Sequence, residues 1–191
     1  MIPVPAGWGE HRVANAAAAI AAAMLRGAPV EAVVAGLAAF PGVKDREEVV
    51  ADIDGVLFIN DTAATAPAAT IAALRSHAGR RIHLIAGGAD KRLNLWPLAR
   101  AAQEAGAVVY LLAGSATPRL EEMLAAVQAP FHGPFDSMAA AVEAAAAAAR
   151  SGEVVLLSPG CASFGLFRDE FERGERFRQA VRSLVAHREQ Q

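Results

Sequence analysis

The feature that most constrains this chain is a repeated alternation of two kinds of segment. Short runs rich in Val, Ile and Leu alternate with longer alanine-rich stretches whose larger apolar residues recur three and four positions apart. The short runs are typical of buried strands and the long stretches of amphipathic helices. Because strands that alternate with helices run parallel in one sheet, the pattern predicts an α/β fold. We expect a Rossmann-like, doubly wound, mostly parallel sheet with helices on both faces.

Five segments are predicted to be strands: Glu47–Asp52, Val56–Asn60, Arg81–Ala86, Val108–Leu112 and Glu153–Ser158. The first two are separated only by Ile53–Gly55, which is too short for a helical crossover. We therefore expect them to form an antiparallel hairpin at one edge of the sheet. Seven segments are predicted to be helices: Val13–Arg26, Pro29–Ala39, Pro67–Ser76, Leu95–Ala105, Pro118–Val127, Ser137–Arg150 and Glu172–His187.

Local signals mark helix ends and one domain boundary. Thr117 directly before Pro118 is an expected N-cap, and Asp136 or Ser137 is expected to cap the following helix. The boundary is expected at the breaker segment 40–42, whose sequence is Phe-Pro-Gly. Residues 1–40 are thus predicted to form a helical appendage and residues 41–191 one doubly wound domain.

The composition excludes several classes of protein. A hydrophobic content of 54% excludes a disordered chain. With 18 basic and 20 acidic residues, the chain lacks the basic surface that nucleic acid requires. The ten-residue apolar run Ala16–Leu25 is shorter than the roughly 20 residues of a membrane span. One cysteine, Cys161, excludes a disulfide framework and indicates a reducing compartment. We expect a cytoplasmic monomer without nucleic-acid or membrane partners.

The segments that follow three of the predicted strands are expected to carry the function. They are Asn60–Thr65, Gly87–Arg92 and Ser158–Phe164. In an open parallel sheet, ligands bind at the carboxyl ends of the strands, so these three segments are predicted to lie on one rim. Gly87-Gly88 followed by Lys91 is consistent with an anion site and equally with a plain turn beside a solvated lysine. The chain has no Gly-Lys-Ser/Thr phosphate loop, so it does not hold a triphosphate alone.

Individual side chains on and near this rim admit more than one interpretation. Ser163 and the backbone N–H groups around it could bind a carboxylate. Cys161 is either a nucleophile or, as is usual for a lone cysteine after a buried strand, packed and inert. His83 within a strand is expected to have a structural role. Asp61 could bind a ribose hydroxyl or serve as a turn residue.

Five motifs occur together and in order along the chain. Their sequences are GEHRVAN at 9–15, FPGVKDRE at 40–47, INDTAAT at 59–65, GGADK at 87–91, and LSPGCASF at 157–164 with RGERF at 173–177. In this combination the chain resembles the C-terminal part of a Mur ligase, and within that family the D-glutamate-adding members. Any one motif is weak, but the ordered set covers essentially the whole chain.

The resemblance implies a division of labour among three domains. In this family one domain binds a UDP sugar, a central domain carries the ATP loop, and a C-terminal domain brings the amino acid. Residues 1–40 would correspond to the tail of the central ATPase domain and residues 41–191 to the amino-acid-binding domain. The substrates implied are D-glutamate, UDP-N-acetylmuramoyl-L-alanine and ATP with Mg²⁺, joined through an acyl phosphate in cell-wall peptidoglycan synthesis. The isolated chain would be inactive.

The resemblance also implies roles for individual residues. Lys91, Thr65 and Ser163 would bind D-glutamate, and Phe164 would wall its pocket. Arg46 would reach the ATP phosphates and Asp61 the ribose. No catalytic residue and no metal ligand is assigned within this chain.

Some positions depart from the pattern of the family. Ala63 occupies the place of a lysine, Ala66 that of an asparagine that would cap the following helix, and Asp45 that of a histidine. These changes cluster on the nucleotide side of the implied site. They support an alternative, in which the chain is a diverged, non-catalytic binding or scaffold domain. An unrelated flavodoxin-like domain would account for the strand and helix pattern but not for the ordered motifs.

Overall fold

The computed structural model describes residues 10–188, so Gly9, the first residue of the first motif, lies outside the described residues. The chain divides into two compact units, residues 1–42 and residues 43–191. In the first unit, two helices are described, α1 (Glu10–Leu25) and α2 (Val30–Ala38). None of the helices in residues 10–188 is both long and apolar enough to cross a membrane.

The second unit contains a six-stranded sheet and five further helices. The strands are β1 (Glu48–Ile53), β2 (Val56–Asn60), β3 (Ile82–Gly87), β4 (Val108–Leu112), β5 (Phe131–Phe135) and β6 (Val154–Leu157). The helices are α3 (Pro67–Ser76), α4 (Trp96–Glu104), α5 (Thr117–Ala126), α6 (Met138–Ala148) and α7 (Glu170–Arg188). Their order along the chain is the strand and helix alternation that the sequence predicts.

The sheet is parallel except at one edge. Its strand order is β1-β2-β6-β3-β4-β5. Strand β1 pairs with β2 antiparallel, which confirms the edge hairpin, and the remaining neighbours are parallel. Because β6 lies between β2 and β3, the carboxyl ends of these three strands meet at the centre of one rim.

Alternating side chains of the strands build one core on each face of the sheet. Leu84 and Leu156 pack on one face with α3, α4 and α5. Ile85 and Leu157 pack on the other face with α6 and α7. The helices therefore cover both faces, which confirms the doubly wound arrangement and explains why the central strands are apolar without interruption.

Two local predictions were wrong. Strand β5 was not predicted, because its sequence FHGPF contains a glycine and a proline that disfavour strands. It forms at the sheet edge by pairing with β4. Thr117 is not an N-cap: it is the first residue of α5, and its hydroxyl donates to the Leu112 carbonyl at 2.7 Å. Ser137 does cap α6, accepting from the Ala140 N–H at 3.2 Å.

Candidate functional site

The three segments at the carboxyl ends of β2, β3 and β6 are joined to one another by backbone hydrogen bonds. We call them the first rim loop (60–65), the second rim loop (87–92) and the third rim loop (158–164). Ala89 of the second loop and Ala162 of the third exchange two N–H···O bonds, of 2.9 and 3.2 Å. The Gly160 N–H donates to the Ala64 carbonyl of the first loop at 2.9 Å. The third loop thus links the other two.

The Lys91 ammonium of the second rim loop lies against Thr65 of the first rim loop. Its Nζ donates to Thr65 Oγ1 at 3.1 Å and to the Thr65 carbonyl at 3.2 Å. Ser163 follows the bridging residue Ala162 and is almost fully buried, whereas Phe164 is 62% exposed. The fold therefore brings the loops of all four residues predicted to bind the amino acid onto one rim. Their roles in binding stay predictions.

The second rim loop is held in place from helix α5. Arg119 Nη1 lies 2.6 Å from Asp90 Oδ2, and its Nη2 donates to the Leu93 carbonyl. The other Asp90 oxygen accepts from the Arg92 N–H at 2.6 Å. The hydrogen bond from Arg119 holds the pKa of Asp90 below its ordinary value. These contacts fix the backbone on both sides of Lys91.

Gly88 allows the second and third rim loops to approach closely. Its φ is +135°, and a Cβ built on it would lie 2.3 Å from the Ala162 carbonyl oxygen. No larger residue fits at that distance. Gly88 is thus required by the contact between two segments of the chain, and not only by a turn.

Asp61, predicted to contact a ribose, is buried at the start of the first rim loop. Its Oδ2 accepts from the Ser158 hydroxyl at 2.8 Å, and its Oδ1 accepts from the Glu47 N–H at 3.3 Å. Burial raises the pKa of Asp61 to about 6, against the lowering effect of the Ser158 hydrogen bond. Both carboxylate oxygens therefore already have partners within the chain. The charge of Arg46, on the preceding segment, also acts on this carboxylate.

Asp45 does not add an exposed negative charge beside Arg46. Its carboxylate is buried, lies 2.8 Å from Arg178 Nη1 and accepts from Asn60 Nδ2 at 2.9 Å. Asp45 has a φ of 65°, in the left-handed region. The charge of Asp45 is thus balanced by a cation from α7, while Arg46 itself is exposed.

Arg173 is a residue of this site to which the sequence analysis assigned no role. Its guanidinium donates to the Thr62 hydroxyl at 3.0 Å, the Thr62 carbonyl at 2.9 Å and the Cys161 carbonyl at 3.1 Å. It is fully buried, and this burial lowers its pKa to about 10. The motif at 173–177 marked the segment as part of the resemblance, but nothing in the pattern indicated which loops Arg173 joins.

The remaining reactive side chains have structural environments. Cys161 is buried in the core, and this burial raises the pKa of its thiol to about 11, so the thiol stays protonated at neutral pH. His83 is buried, with Nε2 at 2.8 Å from Glu153 and Nδ1 at 3.2 Å from the Tyr110 hydroxyl. Within residues 10–188 no cluster of His, Cys, Asp and Glu could hold a metal ion. The rim thus brings the Lys91 ammonium and the Thr65 hydroxyl together.

Comparison with known proteins identifies relatives of this chain. The profile described as "Mur ligase, glutamate ligase domain" matches residues 45–161. The UDP-N-acetylmuramoylalanine--D-glutamate ligase of Roseiflexus sp. (strain RS-1) is 50% identical over 179 residues, which cover 93% of this chain and 38% of that protein. The enzyme of the same name from Treponema pallidum (strain Nichols) is 47% identical over 148 residues, covering 78% of this chain and 27% of its own length.

Solved structures share the fold. The UDP-N-acetylmuramate-alanine ligase of Thermotoga maritima aligns with a TM-score of 0.67 and 20% identity, covering 92% of this chain and 39% of its own. The FolC protein of E. coli, solved with ADP, aligns with a TM-score of 0.59 and 21% identity, covering 99% of this chain and 41% of its own. The chain thus spans about two fifths or less of the length of the relatives it matches.

Proposed function

This chain belongs to the Mur ligase family, and from that premise we propose that it is the C-terminal, amino-acid-binding part of an ATP-dependent ligase. The ligase would join D-glutamate to UDP-N-acetylmuramoyl-L-alanine in the cytoplasmic steps of peptidoglycan synthesis. The names of the Roseiflexus and Treponema relatives support this choice of substrates. The family profile supports the assignment of residues 41–191 to this domain, and residues 1–40 would be the tail of the central ATPase domain.

The observation that carries the proposal is the contact between Lys91 and Thr65 on the rim. A lysine ammonium held by a neighbouring hydroxyl and carbonyl is preorganised to receive a carboxylate. A carboxylate about 4 Å from this ammonium gains roughly 4 kcal/mol before desolvation, at an effective dielectric constant near 20. Ser163 and Phe164 on the joined third rim loop would complete the site with a hydroxyl group and an exposed aromatic ring.

The role of the domain in the reaction would be to position the amino acid. ATP and Mg²⁺ would be bound mainly by parts of the ligase outside this chain, and ATP would activate the substrate carboxylate as an acyl phosphate. A carboxylate anchored at Lys91 would hold the free amino group of D-glutamate for attack on that acyl phosphate. Such orientation can lower a barrier by several kcal/mol. Arg46 and Asp61 would lie on the nucleotide side.

Titration of D-glutamate into the isotope-labelled chain tests the binding role. We expect chemical-shift changes confined to the three rim loops, with D-glutamate binding more tightly than L-glutamate. Lys44 and Lys91 are the two lysines of the chain, so Lys44→Met is a matched control for Lys91→Met. The Lys91 variant should bind D-glutamate about tenfold or more weakly, because it lacks a charge-assisted hydrogen bond. Equal binding by both variants would contradict the proposal.

A second candidate function is a diverged binding or scaffold domain without ligase activity, favoured by Ala63 and Ala66 on the nucleotide side. A chimera separates the two. In the Roseiflexus ligase, the matching segment is replaced by this chain, and ATP-dependent ligation of D-glutamate is measured. Turnover by the chimera supports the ligase. A folded chimera that turns over only after Ala63→Lys and Ala66→Asn are introduced supports the diverged domain.

A further inference from the structure

The buried guanidinium of Arg173 lies where the first and third rim loops meet. It donates to both oxygens of Thr62 and to the carbonyl of Cys161. Thr62 lies three residues before Thr65, and Cys161 lies two residues before Ser163. One side chain from α7 therefore holds the two loops that carry the hydroxyl groups of the candidate site.

The position of Arg173 is fixed by the packing of α7 against the first rim loop. Gly174 lies so close that a Cβ on it would be 2.5 Å from Asp45 Oδ1 and 2.7 Å from Thr62 Cγ2. The Thr62 hydroxyl, which accepts from Arg173 Nε, also donates to the Glu170 carbonyl at 2.9 Å. The helix and the loop thus determine the place of the guanidinium together.

Arg173 differs from its neighbour Arg178 in forming no salt bridge with a carboxylate of the described residues. Arg178, on the same helix, is paired with Asp45, Glu48 and Glu175. Among the side chains described for residues 13–188, no carboxylate lies within salt-bridge distance of Arg173, whose three acceptors are neutral oxygens. The charge of Glu170 acts on Arg173 without a salt bridge between them. A buried charge that lacks a directly paired counter-ion is unfavourable unless other groups stabilise it. An anion bound at the rim would provide part of that stabilisation.

We propose that Arg173 is the positioning residue of the candidate site. It fixes the first rim loop to the third, and its charge, which forms no salt bridge with a carboxylate of the described residues, favours an amino acid with a second carboxylate over a neutral one. This inference rests on the proposed function, because it names the origin of the preference for an acidic amino acid.

The first part of the test measures loop positioning without any ligand. Hydrogen exchange is followed at the amides of Ala89, Gly160 and Ala162, which form the bonds between the rim loops. In Arg173→Lys, which keeps the charge but lacks the planar fork, we expect exchange about tenfold or more faster at Gly160 and Ala162. Amides of β4 should be unchanged. The exposed Arg176→Met on the same helix is the control and should match the parent chain.

The second part measures selectivity for charge, as the ratio of affinities for D-glutamate and its neutral isostere D-glutamine. Arg173→Lys should weaken both ligands alike and keep the ratio, whereas Arg173→Met should lower the ratio about tenfold. Thr62→Val removes one acceptor and should also keep the ratio while weakening both. An equal decrease of the D-glutamate to D-glutamine affinity ratio in the lysine and methionine variants would overturn the electrostatic role.

The outcomes separate this inference from the proposed function. If Arg173→Met does not fold, Arg173→Lys and Thr62→Val still decide, because unchanged exchange and affinity in both would overturn the positioning role. If the parent chain binds no D-glutamate, the proposed function fails. The exchange measurement then tests the positioning of the loops by itself.

Discussion

Asp61 shows how burial at the residue scale sets a charge state. The folded chain binds a proton at this carboxylate more tightly than the unfolded chain, because burial raises its pKa from 3.8 to about 6. The contribution of this tighter proton binding to the free energy of unfolding is fully present below pH 4 and is lost as the pH rises through about 6. Its size is at most about 3 kcal/mol. Near neutral pH the folded protein therefore holds a mostly ionised, buried carboxylate.

Replacement of Asp61 by asparagine should remove this pH dependence. We expect the free energy of unfolding of the parent chain, minus that of Asp61→Asn, to fall by about 1–3 kcal/mol between pH 4 and pH 7. Urea unfolding at several pH values measures it. The subtraction cancels carboxylates whose pKa is lowered, such as Asp90 and Asp169, since both proteins share them. Parallel stability curves for the two proteins would contradict this assignment.

Gly88 makes a second prediction at the residue scale. Gly88→Ala should destabilise the chain by about 2–4 kcal/mol, because the new Cβ overlaps the Ala162 carbonyl and the backbone is strained. Gly79→Ala is the matched control: its φ is +88° but nothing lies within 4 Å of the new Cβ. The control should lose only about 1 kcal/mol. Similar losses in urea unfolding would show that the rim loops separate easily.

At the scale of elements, the sequence correctly predicted that α6 has a side-chain N-cap and that α3 lacks one. Ser137 caps α6 through its hydroxyl, whereas α3 begins after Ala66 with no side-chain cap. Both results follow from local chemistry, since a cap needs an oxygen on the residue that precedes the helix. Thr117 was misread because its hydroxyl bonds to Leu112, on the preceding strand.

Adding a cap to α3 should stabilise the chain. Ala66 has extended backbone angles, φ −140° and ψ 148°, which suit a capping residue. Ala66→Asn should therefore raise the free energy of unfolding by about 1 kcal/mol, and Ser137→Ala should lower it by about the same amount. Urea denaturation of both variants measures these changes. No gain from Ala66→Asn would mean that the asparagine cannot reach the N–H groups of α3.

Strand β5 marks the limit of prediction at this scale. A segment with a central Gly133-Pro134 lacks the local signature of a strand. It becomes one because β4 offers an unpaired edge, with Val109 pairing to Phe131 and Tyr110 to His132. Such pairing depends on a partner distant in the sequence, and so local patterns do not reveal it.

At the scale of the whole molecule, the packed core lies almost entirely in the second unit. Apart from Ala16, the buried hydrophobic residues of the described chain fall between Ile53 and Val181. Residues 43–191 should therefore fold cooperatively without residues 1–42. Their amide spectrum and urea transition test this, and D-glutamate should produce the same shifts in the rim loops as in the full chain. Loss of the cooperative transition would show that the core needs the first unit.

The sequence by itself determined the α/β class, the edge hairpin and the three segments on the rim, because the hydrophobic period and the succession of strands and helices along the chain are local or nearly local properties. It also supplied the family, through five ordered motifs. Tertiary structure alone decided the partners: Asp45 with Arg178, Asp61 with Ser158, and Arg173 with Thr62 and Cys161. Three of these contacts join residues 97 or more positions apart in the sequence. The fourth, between Arg173 and Cys161, connects helix α7 to the third rim loop. Burial and charge compensation depend on which distant segments pack together, and only the folded chain fixes that.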